Sequence, residues 1–265
     1  MRVIIGLTLL RARGRIIALS LGFAVFIMLV GLSYASVDQN AIRTLIEQLP
    51  PALRALAGAS DLASPAGYLG AAFLHPVPLT ILGVLVISIT SSVTRDRESG
   101  AADLLLSRPL PPHRWLAGQT IALAIALGIV GTTGMLGGIL ARSVVADLGS
   151  VSTRGVAAAG LGAMLLFAAI AGVSLFIAVI VPRGAQAVGW ASGFVVASYA
   201  LNYLAQVWTP VDVVAPLSVF HHFEPGGIVA AGALPWSSAL TLLGVAVGGV
   251  AAAHVAIDRR EIGGT

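Results

Sequence analysis

Charged residues divide the chain into long apolar windows. Six windows of 22 to 33 residues contain no Arg, Asp or Glu, and they cover 16–37, 62–94, 115–141, 155–182, 184–211 and 225–257. A helix that crosses the hydrocarbon core of a bilayer needs about 20 consecutive apolar residues. Each window is long enough for one crossing and too short for two. The pattern therefore predicts six transmembrane helices, at about 16–35, 73–93, 116–138, 156–181, 187–207 and 237–257.

The composition supports this interpretation. Of the 265 residues, 57% are hydrophobic and only 10% are charged, whereas a soluble domain carries about 25% charged residues. We expect an all-α membrane protein that forms a single transmembrane domain over residues 1–265. The chain contains no cysteine, which excludes disulfides, thiolate metal sites and cysteine nucleophiles.

The basic residues predict an orientation. All 15 are arginines, and eleven of them fall in one alternating set of segments between the predicted helices, against four in the other set. The positive-inside rule then places both chain ends on the cytoplasmic side of the membrane. We expect a multi-pass protein of the cell (inner or plasma) membrane. The arginines form no continuous stripe, so nucleic acid is not an expected partner. The arginine-only, Ala- and Gly-rich usage suggests a GC-rich bacterial genome.

Three segments outside the predicted crossings have patterns of their own. Residues 1–15 are predicted to form an interfacial helix on the inner leaflet that continues into the first crossing. Residues 37–70 contain an apolar stripe at Ile42, Leu45, Ile46 and Leu49, which is typical of a short amphipathic helix. Residues 208–236 contain four prolines and few charges, and they predict broken short helices that dip into the outer leaflet between helices 5 and 6.

The segment 94–115 between the second and third crossings concentrates seven charged residues in a chain that has few. Ser99 is a candidate N-cap for a short helix through Leu104, Leu105 and Leu106, and Pro109 ends it. A solvated loop gains nothing by exposing three consecutive leucines. The segment therefore predicts a short inner helix that docks into a groove on a cytoplasmic partner.

The residues of this segment resemble the inner loop of ABC-2 type transporter permeases, the membrane subunits of ATP-binding cassette exporters. The resemblance is carried by Glu98-x-Gly100-x-x-Asp103-Leu104-Leu105-Leu106-Ser107-Arg108-Pro109 followed by Arg114-x-x-x-Gly118. Residues 49–56 and 64–68 are similar to the family's first outer loop, and residues 257–262 are similar to its terminal segment. The chain departs from the family pattern at Ala101, Ala102, His113 and Gln119.

This resemblance implies an exporter permease that is not itself an enzyme and has no catalytic residue. It would pair with a second permease, either the same chain or a sister chain, in the lipid bilayer. Two cytoplasmic ABC ATPase subunits, which hold ATP and Mg, would grip the inner loop and drive transport. The residues implied in this coupling are Arg97, Glu98, Gly100, Asp103, Leu104, Leu105, Leu106, Arg108, Pro109 and Arg114.

The residues themselves agree with a separate ATPase subunit, because a chain without lysine cannot form a P-loop of the G-x-x-x-x-G-K-[ST] type. An apolar transmembrane path suits an apolar or amphipathic substrate, such as a drug, a lipid or a peptide-like molecule. The sequence assigns no substrate-binding residue and no metal ligand.

Two alternatives stay open. An ion- or proton-coupled secondary transporter needs intramembrane acids or histidines. All eleven acidic residues lie outside the windows, however, and His75 and His254 lie near the ends of their predicted crossings. An intramembrane serine protease would use Ser192 and His254, without the expected Gly at Trp190. His221, His222 and Glu224 receive no role, because adjacent histidines point to different faces of a regular element.

Overall fold

A computed structural model describes residues 2–49, 62–100 and 111–259 of the chain. The regular elements in these ranges are all helical. The α-helices are α1 Arg2–Ser33, α2 Gln39–Gln48, α3 Pro65–Leu74, α4 Pro76–Glu98, α5 Pro112–Val144, α6 Thr153–Ile180, α7 Gly184–Val207, α8 Pro225–Ala231 and α9 Trp236–Asp258. Short 3-10 helices cover Tyr34–Ser36, Ala146–Leu148, Thr209–Leu217 and Val219–His222.

Five helical units in the described part of the chain are long and apolar enough to cross a membrane. They are Arg2–Ser36, Pro65–Glu98, Pro112–Val144, Thr153–Ile180 and Trp236–Asp258. Helix α7 corresponds to the fifth predicted crossing, 187–207, and has 24 residues without a charge. It falls short in hydropathy because its sequence includes two glutamines, an asparagine, two serines and two tyrosines. Five of the six predicted crossings are therefore confirmed as candidates, and the crossing at α7 stays a prediction.

The helices extend beyond the predicted crossings. Helix α1 starts at Arg2 rather than near residue 16, and it continues without a break through Arg11, Arg13 and Arg15. The predicted N-terminal helix thus continues into the first crossing as expected, and its interfacial position stays a prediction. Absence of charge locates the apolar stretch only. The backbone hydrogen bonds of a helix continue through arginine, which is a good helix former.

The second predicted crossing, 73–93, is interrupted at its beginning. Helices α3 and α4 meet at His75, whose ψ of 145° is extended. Pro76 follows, and proline disfavours the helical conformation of the residue before it. The imidazole Nδ1 of His75 accepts a hydrogen bond from the amide of Val77 at 3.3 Å and so caps the start of α4.

Helices α1 and α5 run side by side over most of their length. At one end, Thr8 Oγ1 donates a buried hydrogen bond of 2.9 Å to Gln119 Oε1. Near the other end, Gly137 leaves the space in which the carbonyl of Ala24 lies, and a Cβ there would overlap it. Small residues allow this close approach of two backbones in membrane proteins.

Helices α6 and α9 form a second close pair. A Cβ on Gly249 would lie 2.6 Å from the carbonyl oxygen of Gly172 and 2.7 Å from the amide nitrogen of Val173. Farther along, Val179 of α6 and Ile257 of α9 belong to the same buried cluster. The order of these contacts along both helices shows that α6 and α9 run parallel.

One buried cluster collects the ends of six helices at a single end of the bundle. Its members come from α1, α4, α5, α6, α7 and α9, and they are Ile4, Val93, Trp115, Leu116, Leu175, Ala178, Val179, Ala187, Ala253 and Ile257. These are the helix ends that the arginine distribution assigns to the cytoplasm. We refer to this end, which also carries Arg11, Arg97, Arg114 and Arg183, as the arginine-rich end.

The opposite end carries the shorter helices. The predicted amphipathic segment is confirmed as α2, which is capped by the side chain of Asp38 and buries no residue against the rest of the chain. Helix α3 packs on α8, where Gly70 and Gly226 bring the two backbones together. The predicted break between the fifth and sixth crossings is observed as the two 3-10 helices and α8. Their depth in a bilayer stays a prediction.

Candidate functional site

The residues implied in coupling divide into two groups. Arg97, Glu98, Gly100 and Arg114 lie in the described part of the chain, at the arginine-rich end. The remaining residues, Asp103, Leu104, Leu105, Leu106, Arg108 and Pro109, lie outside the described residues, as does the predicted short helix that contains them. The structure therefore defines the two flanks of the implied coupling segment.

The last residues of α4 are bound to the end of α6 and to the start of α7. Thr94 Oγ1 donates a buried hydrogen bond of 2.6 Å to the carbonyl of Ala178, and Arg97 Nη1 donates one of 2.8 Å to the carbonyl of Val179. Glu98 Oε2 accepts a hydrogen bond of 2.9 Å from the amide of Gly184. We call these three contacts the junction.

The junction supplies what two helix ends lack. The last carbonyls of a helix and its first amides have no partner within the helix. Thr94 and Arg97 bind open carbonyls at the end of α6, and Glu98 binds the first amide of α7. A cation at a helix C-terminus and an anion at an N-terminus also interact favourably with the helix dipoles.

Gly184 permits this arrangement because it has no side chain. A Cβ at this position would lie 2.5 Å from Arg95 Cγ and 3.3 Å from Glu98 Oε2. The residue before it, Arg183, is the N-cap of α7 and makes no side-chain capping bond. The cap comes instead from Glu98, which is 86 positions away in the sequence.

The neighbouring charges of α4 also face their own chain. Arg95 donates to the carbonyl of Ser88 at 3.0 Å and to Ser91 Oγ at 2.9 Å. Asp96 forms an ion pair with Arg11 of α1, with 3.5 Å between the charged atoms. Arg97 and Glu98 thus make contacts within the chain, and their implied contact with a partner protein stays a prediction.

Ser99 and Gly100 end α4. The amide of Ser99 donates to the carbonyl of Arg95, and the amide of Gly100 donates to that of Arg97. Gly100 has a φ of +71°, a left-handed conformation that terminates helices and that glycine adopts without strain. Ser99 is thus the C-cap of α4, and its predicted role as N-cap of the next helix concerns residues outside the described part.

The other flank of the segment is the first turn of α5. Arg114 is exposed there, beside the fully buried Trp115. His113 lies next to Asp258 at the end of α9, with 4.0 Å between the imidazole nitrogen and the carboxylate oxygen. The end of α9 therefore lies beside the first turn of α5.

A second polar feature lies on α7. Ser198 is buried in this helix and binds Ser218, which lies between the two 3-10 helices that follow. Ser218 Oγ donates to the carbonyl of Ser198 at 2.7 Å, and the two hydroxyls are 3.1 Å apart. The amide of Val219 donates to Ser198 Oγ, also at 3.1 Å. These bonds fix the broken segment against the half of α7 that is farther from the arginine-rich end.

Half of the residues of α7 are nevertheless exposed. Only Gly184, Ala187, Ala191 and Ser198 are buried among its 24 residues. Trp190 is 67% exposed and Tyr199 is 45% exposed. Helix α7 thus presents a wide surface of aromatic, polar and small apolar side chains away from the bundle.

The residues of the alternative interpretations have local roles. His254 Nδ1 lies 2.9 Å from the carbonyl of Val250, one turn earlier in the same helix. The ring of His75 packs on Phe26, with 4.9 Å between the ring centroids. His222 Nε2 lies 3.0 Å from the carbonyl of Pro216. No group of three histidine or acidic side chains in the described ranges could hold a metal ion.

The fold and the candidate site define a helical, multi-pass membrane protein whose helix ends and charges meet at one end of the bundle. Residues 1–257 match the family model described as the C-terminal domain of the multidrug efflux system permease Rv1217c. The chain therefore belongs to this family of efflux permease domains. No curated protein sequence matches the chain.

Proposed function

We propose that the chain is the membrane-spanning permease subunit of an ATP-driven exporter of the ABC-2 type. The single observation that carries the proposal is the family match over residues 1–257 to a multidrug efflux permease domain. The sequence pattern from Glu98 to Arg114 adds the ABC-2 resemblance, and the absence of lysine requires that any P-loop be on another chain. The chain itself would carry out no chemical reaction.

The proposal includes α7 as a sixth crossing. Helices α6 and α9 run parallel, so the chain between them has to return from one end of the bundle to the other. Helix α7 is the element that makes this return, and its 24 residues are about 36 Å long at 1.5 Å per residue. The hydrocarbon core is about 30 Å thick. The length of α7 thus supports a crossing despite its lower hydropathy.

The proposed partners are two cytoplasmic ABC ATPase subunits, which hold ATP and Mg, and a second permease. The ATPase would contact the segment that follows α4, where Leu104, Leu105 and Leu106 are concentrated. The exposed surface of α7 favours a role at the substrate path between the permeases, because its polar groups gain nothing from lipid. Its aromatic and small apolar side chains suit an apolar or amphipathic substrate of the drug, lipid or peptide-like kind. The proposed location is the bacterial cell membrane.

Co-purification tests this function. The tagged chain is solubilised from its native membrane in mild detergent, and the co-purifying proteins are identified by mass spectrometry and assayed for vanadate-sensitive ATP hydrolysis. We expect a stoichiometric soluble ABC ATPase. A chain that purifies without an ATPase, with and without prior crosslinking, would contradict the proposal.

The substitution Leu105→Asp sharpens the test, since it puts a charge on the proposed apolar ridge. We expect unchanged membrane insertion and a loss of the ATPase of about tenfold or more, because a central apolar anchor carries much of an interface. Leu45→Asp is the matched control, since Leu45 is 60% exposed on α2 at the opposite end. Equal ATPase recovery with both variants would place the ATPase contact elsewhere.

A further inference from the structure

In the junction, Glu98 of α4 accepts a hydrogen bond from the first amide of α7, and this contact lies directly before the proposed coupling segment. We propose that Glu98 is a positioning residue that transmits movement of this segment to α7 through the amide of Gly184. It would not be a direct contact of the ATPase. This inference rests on the proposed function, and it changes the role that the family resemblance implies for Glu98.

The junction joins three helices, α4, α6 and α7, at one place. One turn of α4 binds the last carbonyls of α6 and the first amide of α7. Thr94 is fully buried in this contact, with 0% exposure. The turn at 181–183 cannot move independently of α4 unless these hydrogen bonds break.

Helix α7 buries few of its own side chains. Its buried positions are three small residues, Gly184, Ala187 and Ala191, and the serine that binds Ser218. Small side chains bury little apolar area, and in lipid the association of helices relies on packing and hydrogen bonds. Phe194 and Val195 pack partly buried against the core, and Tyr199 packs on Phe220. Besides this packing, α7 is held by hydrogen bonds to Glu98 at one end and from Ser198 to Ser218 toward the other.

Glu98 lies at the boundary between α4 and the proposed coupling segment. It is the last residue of α4, two positions before the left-handed Gly100 that ends the helix. A displacement of the segment beyond Gly100 acts directly on this turn. The carboxylate then carries the displacement to the N-terminus of α7, the helix whose exposed surface we place at the substrate path.

The experiment compares Glu98→Gln with Glu98→Ala. Glutamine keeps a side-chain oxygen that accepts the amide of Gly184 but removes the charge that an ion pair with the ATPase would need. Alanine removes both. Asp258→Asn is the control for loss of an acid at the same end, since Asp258 is half-exposed and lies outside the junction.

The measurements use the transporter with its co-purified ATPase, and ethidium as the transported probe. A cysteine at Gln186, exposed on the first turns of α7, serves as a reporter, because the natural chain contains no cysteine. Its rate of reaction with a maleimide dye is measured without nucleotide and in the vanadate-trapped state.

We expect Glu98→Ala to keep the ATPase subunits but to lower the ethidium transported per ATP by about tenfold, the scale of losing a helix N-cap. The reporter should then respond equally in both nucleotide states. Glu98→Gln should restore transport to within about threefold of the wild type, together with the reporter response. Gly184→Ala should resemble Glu98→Ala, because its Cβ would displace Arg95 and Glu98.

Three results would overturn the inference. The first is an equal loss of the ATPase subunits in Glu98→Gln and Glu98→Ala, which would make Glu98 an ionic contact of the ATPase. The second is full coupling in Glu98→Ala, and the third is a wild-type reporter that does not respond to nucleotide. A wild-type chain that recovers no ATPase would instead refute the proposed function, and the inference with it.

Discussion

The close pairing of α6 and α9 gives the sharpest stability prediction. Gly249 faces the backbone of α6, and a Cβ there would lie 2.6 Å from the oxygen of Gly172 and 2.7 Å from the nitrogen of Val173. Both neighbours belong to a helix backbone, so neither can rotate away. Gly249→Ala therefore has to push the two helices apart.

The expected magnitude follows from this geometry. Forcing one extra methyl group into a packed contact costs about 1–3 kcal/mol, and a rigid backbone neighbour favours the upper part of that range. Alanine regains up to about 1 kcal/mol of helix propensity relative to glycine. The net destabilisation is then about 1–2 kcal/mol. Each kcal/mol lowers Tm by roughly 2–4 °C for a chain of this size.

The adjacent glycine supplies a matched control. Gly248 has no atom within 4 Å of the position of a Cβ, so Gly248→Ala should leave stability unchanged or raise it slightly. The assay is unfolding of the detergent-solubilised protein followed by fluorescence of its four tryptophans. Equal midpoints for Gly249→Ala and Gly248→Ala would refute the close α6–α9 contact. They would also remove the support that this contact gives to α7 as a crossing.

The buried hydroxyls give two further predictions. Ser218→Ala removes the acceptor of the Phe220 amide and the hydrogen bond to the carbonyl of Ser198, and it should lower the free energy of unfolding by about 1–3 kcal/mol. Ser237→Ala on the exposed start of α9 should change the free energy of unfolding by less than about 0.5 kcal/mol. Equal effects of the two substitutions would contradict the Ser198–Ser218 contact. Thr8→Val removes the bond to Gln119 and should cost about 0.6 kcal/mol, the mean for hydrogen bonds between membrane helices. A cost above about 2 kcal/mol in the same unfolding assay would mean that this bond does more than join α1 to α5.

The positions of the apolar helices could be predicted because lipid imposes a simple rule on sequence. A charge-free stretch of sufficient length identifies a crossing whatever its neighbours are. The rule cannot give helix ends, which depend on backbone hydrogen bonds and caps. For this reason the predicted crossings are shorter than the observed helices: α1 begins at Arg2, and α5 extends to Val144 rather than to about residue 138.

The contacts of the candidate site could not be predicted in the same way. The family resemblance implied a coupling role for Arg97 and Glu98 because they lie in the charged segment that is similar to the family's inner loop. Their partners, Val179 and Gly184, are 82 and 86 positions away and contribute only backbone groups. A backbone carbonyl or amide leaves no trace in the sequence. The predicted crossings end at about residue 181 and begin again at about 187, so the sequence shows where two helix ends need caps but not which groups cap them.

The most direct test of ATP-driven export uses inside-out vesicles that contain the chain and its ATPase. Ethidium uptake is measured with ATP, with a non-hydrolysable ATP analogue, and with ATP plus a protonophore. The account predicts uptake that requires ATP hydrolysis and persists when the proton gradient is collapsed. Uptake that occurs without ATP hydrolysis and disappears with the protonophore would contradict it and would identify a proton-coupled transporter.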